Sequence, residues 1–204
     1  MDASKTWPNA CAMNNMVDNL GDCGAANSVD LSGDVSISAA TSFGDGWEFG
    51  IGASGGDGTT MFTSESTSDA YGVAVGYETD TYGFTVAYSD KDSASYTGIT
   101  AFYSPEEVPT TFSGGFEAGT PDSGEDTTQW AFGITTDLGE GSLSLNVGTN
   151  GQVVDSTEDI YAYDISYEYP INDSMSITPF VYISETTGSS TDTTGAGAFV
   201  SFSF

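Results

Sequence analysis

From about residue 28 onward, large apolar residues alternate with small or polar ones, segment after segment, with the period of two that a β-strand imposes. Val29, Leu31, Gly33, Val35, Ile37 and Ala39 fall on one face, with Asp30, Ser32, Asp34, Ser36 and Ser38 on the other. Trp47, Phe49, Ile51 and Ala53 oppose Glu48, Gly50, Gly52 and Ser54, and Tyr71, Val73, Val75 and Tyr77 oppose Gly72, Ala74, Gly76 and Glu78. Tyr82, Phe84, Val86 and Tyr88 continue the pattern against Gly83, Thr85, Ala87 and Ser89. So do Trp130, Phe132 and Ile134, then Leu143, Leu145 and Val147, then Tyr161, Tyr163, Ile165, Tyr167 and Tyr169. Met175, Ile177, Pro179, Val181 and Ile183 share a face, and Val200, Phe202 and Phe204 finish the chain. The stretches 95–104 and 110–118 are weaker but compatible. The reading is all-β, about eleven strands, with no helix beyond a short turn over 14–20.

The polar positions decide what kind of sheet this is. A sheet facing water on one side places Lys, Glu and Arg there. Here the face opposite the apolar stripe is mostly Gly, Ala, Ser and Thr with scattered carboxylates. The apolar stripe is bracketed by aromatics instead: Tyr71 and Tyr77, Tyr82 and Tyr88, Tyr161 and Tyr169, with Trp47 and Trp130 at strand starts. Aromatic residues at both ends of an apolar strand face form girdles at two membrane interfaces. The links point the same way. Gly44–Gly46, Thr79–Thr81, 105–109, Leu138–Gly141 and 170–174 are short, whereas 55–68, 119–127, 150–158 and 185–193 are long and 90–94 intermediate. An antiparallel up-and-down transmembrane β-barrel has short turns at one end and longer loops at the other. Followed backwards, this order places residues 1–27 outside the cell, before a strand region at 28–204. An odd strand count does not close such a barrel, which calls for at least one more strand upstream.

Charge narrows the functions. Two Lys+Arg face 30 Asp+Glu, a formal net charge of -28, and there is no His. Such a surface repels nucleic acid, and it excludes Ser/His/Asp and Cys/His catalysis. No pair of carboxylates stands out for acid–base work, so no enzyme is expected. In a barrel, the face opposite the lipid lines the lumen. Asp30, Asp34, Glu48, Glu78, Glu117, Asp164 and Glu168 would then line it and favour cations. Gly55–Gly58, Glu125–Asp126 and Asp155–Asp159 offer oxygen ligands for loop Ca²⁺, although a flexible loop and solvated loop charge account for them better; no cofactor is otherwise expected. Cys11 and Cys23 form either a disulfide, which suits an oxidising compartment, or two buried thiols. Residues 1–5 have neither the basic nor the apolar region of a signal peptide, and no run reaches the ~20 apolar residues of a membrane-spanning helix.

Three stretches carry a resemblance: Asp126–Trp130 leading into a strand, Tyr167–Pro179, and the closing Phe199–Phe204. With these, the chain resembles the cyanobacterial outer-membrane porins of the carbohydrate-selective group, in their C-terminal barrel portion. Trp7–Cys11 and Cys23 resemble a cysteine-containing loop of the same porins. The resemblance implies a larger barrel of 16 strands, usually preceded by a signal peptide, an S-layer-homology domain and a coiled coil. It implies passive diffusion of ions and small hydrophilic solutes such as carbohydrates, outer-membrane lipid as surroundings, and room for a homo-oligomer. It also implies a terminal Phe204 read by the barrel-assembly machinery. The alternatives are a porin-derived sheet in a secreted or virion appendage, and a soluble acidic Ca²⁺-dependent adhesive domain.

Overall fold

The computed structural model describes residues 8–13, 16, 31, 35–55, 69–186, 188 and 191–203. They form one antiparallel sheet of twelve strands: β1 (Val35–Phe43), β2 (Trp47–Gly55), β3 (Ala70–Glu78), β4 (Tyr82–Lys91), β5 (Ala94–Tyr103), β6 (Thr110–Pro121), β7 (Thr127–Leu138), β8 (Gly141–Thr149), β9 (Val153–Val154), β10 (Tyr161–Asn172), β11 (Met175–Ser184) and β12 (Thr193–Phe202). Each strand pairs with the next along the chain, apart from the two-residue β9, which pairs with the start of β7 outside this order. Among the described residues, the predicted turn over 14–20 is represented by Met16 alone.

Register keeps the two faces apart across the whole sheet. On one face Phe49, Val75, Val86, Ile99, Phe116 and Trp130 stand opposite one another in sequence. A second such row is Phe112, Ile134, Leu145, Ile165 and Val181. On the other face Glu48, Gly76, Thr85, Thr100, Gly115, Ala131, Gly148, Ala162 and Ser184 form a row of small or polar residues. Burial is inverted relative to a water-soluble sheet. Val86, Ile99, Phe116 and Ile165 are each close to half exposed, while Thr85, Ser89, Ser144, Ser166 and Asp164 are buried. The small-residue face is the inner one, and a continuous apolar outer face far exceeds what water-soluble monomers expose.

Three features depart from the sequence reading. Leu31, expected beside Val35 and Ile37, is instead fully buried against Ala70, Ala74 and Ala87 on the inner face. A branched side chain there covers small residues that have little bulk of their own. The link between β4 and β5 is only Asp92 and Ser93, so one hairpin at the long-loop end is tight. Strand β6 extends to Pro121, which shortens the following loop to residues 122–126. Otherwise the ends differ as expected, with tight turns at 44–46, 79–81, 139–140 and 173–174 and long links at 56–69, 150–160 and 185–192.

Local chemistry explains the turns. Thr79 holds the 79–81 turn with one hydroxyl, which accepts from the Tyr82 amide at 3.1 Å and donates to the Tyr82 carbonyl at 2.9 Å. Threonine and serine hydroxyls commonly fix turns in this way. Gly46 sits at φ 90°, and a Cβ there would come within 2.3 Å of the Glu78 carbonyl oxygen. We expect Gly46→Ala to destabilise the fold by about 1–3 kcal/mol, through left-handed backbone strain and a clash with main chain. Urea unfolding of micelle-refolded protein measures this; an unchanged midpoint would contradict it.

The sheet is open among the described residues. Strands β1 and β12 each pair on one side only and are exposed along nearly their whole length. Eleven strands in alternating directions leave β1 and β12 pointing the same way, so they cannot close antiparallel on each other.

A strapped inner wall as candidate functional site

The N-terminal residues cross the inner face like a strap. Pro8 lies over Gly76 of β3, where an added Cβ would come within 2.7 Å of the Pro8 ring. The Ala10 amide donates to Thr85 Oγ1 of β4 at 3.0 Å, and Thr100 of β5 donates to Asn9 Oδ1 at 3.2 Å. The Ala12 amide donates to Ser113 Oγ of β6 at 2.9 Å. Met13 packs on Ala131 of β7 and Ala162 of β10, and the Met16 amide donates to Asp164 Oδ2 of β10 at 3.1 Å. The strap therefore runs along two adjacent register rows of the wall, touching Gly76, Thr85, Thr100, Ala131 and Ala162 on one and Ser113, Gly133 and Asp164 on the other. The amides of Ala10, Ala12 and Met16 find their acceptors in hydroxyls and a carboxylate of these rows, and the Cys11 amide in the Asn9 carbonyl.

Small residues make these rows passable. A Cβ on Gly133 would stand 2.3 Å from Asn146 Oδ1 and 2.9 Å from Met13 Cγ. Gly133→Ala should therefore lift Met13 and lower stability by about 1–3 kcal/mol. Faster trypsin-independent cleavage of the N-terminal segment, for example by proteinase K, checks it; unchanged protection counts against the strap.

The predicted lumen carboxylates are distributed along this face. Asp164 is buried and bound twice, by the Met16 amide and by Asn146 Nδ2 at 2.8 Å. Glu117 is 1% exposed and accepts from Gln152 Nε2 at 3.2 Å, which brings the 150–160 link over the wall. Glu48 lies beside Pro8 in a recess shared with Ala40, Thr41 and Ser42, and Ser42 Oγ donates to it at 3.4 Å. Glu78 ends β3 in the open, two pairs beyond Gly76 toward the short turns. Glu168 lines a recess with Asp137, Glu140 and Ser142 at the same end. Asp30 and Asp34 lie outside the described residues, as do Cys23, Phe204 and 56–58. Cys11 is disulfide-bonded. Lys91, the lone cation among the described residues, sits 5.2 Å from the Tyr96 ring centroid.

The outer face carries its aromatics in two bands. Phe43, Trp47, Tyr77 and Phe84 interlock near the short turns, Trp47 to Tyr77 at 5.0 Å and Trp47 to Phe84 at 6.1 Å between centroids. Tyr82 joins them at 5.8 Å from Tyr77. Tyr169 is at the same end and donates its hydroxyl to Glu140 at 2.9 Å. Toward the long links stand Tyr71, Tyr88 and the Trp130–Tyr161 pair; Tyr88 and Tyr161 donate to Asp90 and Asp159, each at 3.1 Å. In the loops beyond, Ser156 donates to Glu125, and the Asp155 amide donates to the Asp126 carbonyl at 3.0 Å. Among the described residues no three carboxylates converge on a metal position.

Two elements escaped the sequence reading. The strap has no alternation, and its only cue is the Gly and Ser/Thr positions that receive it. Phe180, Tyr182 and Phe199 stand on the inner face, between the apolar outer residues Pro179, Val181 and Val200 that carry the alternation.

No protein-family model and no curated protein sequence matches the chain. Solved structures do. An anion-selective porin from Comamonas acidovorans is 15% identical, with a TM-score of 0.68, over 83% of this chain and 59% of that one. A triple mutant of the Rhodopseudomonas blastica porin is 16% identical, with a TM-score of 0.62, over 83% of this chain and 55% of that one. The chain thus has the antiparallel up-and-down fold of a partial porin-type β-barrel and spans somewhat more than half the length of these porins.

Proposed function

We propose that this chain forms the greater part of the wall of a bacterial outer-membrane porin, through which ions and small hydrophilic solutes, carbohydrates among them, diffuse passively. The carrying observation is the inverted sheet: apolar residues face outward between two aromatic bands, and polar residues line a strapped inner wall. In lipid, backbone groups need partners within the sheet, which a closed barrel supplies. Closure here takes an odd number of further antiparallel strands between β12 and β1, in keeping with the even strand numbers of bacterial barrels. The disulfide of Cys11 suits this compartment, and the strap supplies the constriction. Outer-membrane lipid, the assembly machinery acting on the C-terminal strand, and a homo-oligomer belong to the same reading.

Selectivity follows wall charge and not fold, since the similar Comamonas porin is named anion-selective. With 30 acidic against two basic residues in the chain, and Glu48, Glu78 and Glu168 along the inner wall, the passage favours cations. In a salt gradient across a planar bilayer, the reversal potential should lie on the cation side. Glu48→Gln with Glu168→Gln, both at accessible positions, should move it toward zero. Anion preference would overturn the charge reading. A protein that stays folded and monodisperse without detergent would overturn the membrane reading and favour a surface appendage.

A further inference from the structure

The inner wall changes character at β11 and β12. Elsewhere its residues are mostly small or hydroxylic, with Tyr96 and Phe102 as isolated rings, but here three rings stand together: Tyr182, Phe180 and Phe199. Tyr182 and Phe180 have centroids 6.4 Å apart and planes 23° from parallel; Phe180 and Phe199 are 5.3 Å apart and 15° from parallel. Their partners in β12 are Gly195 and Gly197. A Cβ on Gly195 would lie 2.2 Å from Tyr182 Cε1, and one on Gly197 2.7 Å from Phe180 Cζ. Two of the rings therefore pack over bare backbone, where a side chain on either glycine would collide with them. Phe199 is 53% exposed.

The register places this platform directly after the last described strap anchor, because Tyr182 is paired with Asp164. Phe180 is paired with Ser166, whose Oγ is buried without a hydrogen-bond partner. An aromatic face attracts a cation through its quadrupole, most strongly a weakly hydrated organic one. The inner wall already holds one such pair in Lys91 and Tyr96. The chain's net charge of -28 draws cations toward it as a whole, whereas it does nothing for a neutral solute.

We propose that Phe180, Tyr182 and Phe199 form a binding platform for organic ammonium ions passing along the inner wall. This rests on the channel reading above. The rings supply the apolar contact and cation–π attraction, and the acidity of the chain as a whole supplies the charge complement.

Planar-bilayer currents of the full chain in KCl test it. Tetraethylammonium should reduce the K⁺ current, and Phe180→Leu with Phe199→Leu should weaken that block about ten-fold, measured relative to the variant's own unblocked K⁺ current. Block that is equal in the variant overturns the proposal, and so does block by maltotetraose without block by tetraethylammonium. Saturation-transfer NMR of micelle-refolded protein reads binding without conduction. Transfer to the tetraethylammonium methyl protons, lost in the variant, supports the platform; its absence from the unmodified chain overturns it. Transfer without any bilayer conductance would sink the channel reading and leave the platform standing.

Discussion

Val86→Arg is expected to prevent stable assembly in lipid. Val86 lies mid-sheet on the outer face, 45% exposed, between Val75 and Ile99. Its surroundings in a bilayer are hydrocarbon, where an arginine at the midplane costs about 2–4 kcal/mol. That is a large part of a marginal folding free energy. Urea titration in liposomes should show the loss, and the variant should fail to acquire heat-modifiable mobility on gels. Thr85→Arg, one residue away, is the control. Thr85 is 3% exposed and holds the Ala10 amide on the inner face. It should still insert, but with altered conductance. Equal insertion of both variants would remove the distinction between the two faces.

Removing the strap should have the largest effect on conduction. Deleting residues 8–16 takes away the peptide that bridges Thr85, Ser113 and Asp164. The inner wall is left lined by hydroxyls and carboxylates that water can satisfy, so the sheet should survive. Single-channel conductance should rise severalfold, because the backbone that narrows the passage is gone. Asp164→Asn is a milder form: it weakens the charge-assisted bond to the Met16 amide and should give noisier currents at near-normal mean conductance. A deletion variant with unchanged conductance would show that the strap does not limit flow.

Much of the sheet was legible because a two-residue period is a geometric fact of the strand. Val75, Val86 and Leu145 are outward and Thr85, Glu117 and Asp164 inward for that reason alone. The unpaired edges of β1 and β12 follow from an odd number of strands, visible in the count. What the pattern could not carry was contact with something off the sheet. Leu31 breaks phase because it serves the inner face, and nothing in its immediate neighbours marks that change. The strap is stabilised by its own amides on Thr85, Ser113 and Asp164, so its side chains need no periodicity. Phe180 and Tyr182 were hidden in plain alternation, since an aromatic at an inward position reads as noise until Gly195 and Gly197 are seen beneath it.

The sheet is expected to cross a bilayer with its apolar face to lipid and its small, polar face to water. Spin labels placed one at a time from Tyr82 to Lys91 of β4, in liposomes, test it most directly. Oxygen accessibility should peak at Phe84, Val86 and Tyr88 and fall at Thr85, Ala87 and Ser89, with the period of two. A paramagnetic aqueous reagent reaching Val86 as readily as Asp92, with no oxygen maximum along the strand, would contradict it.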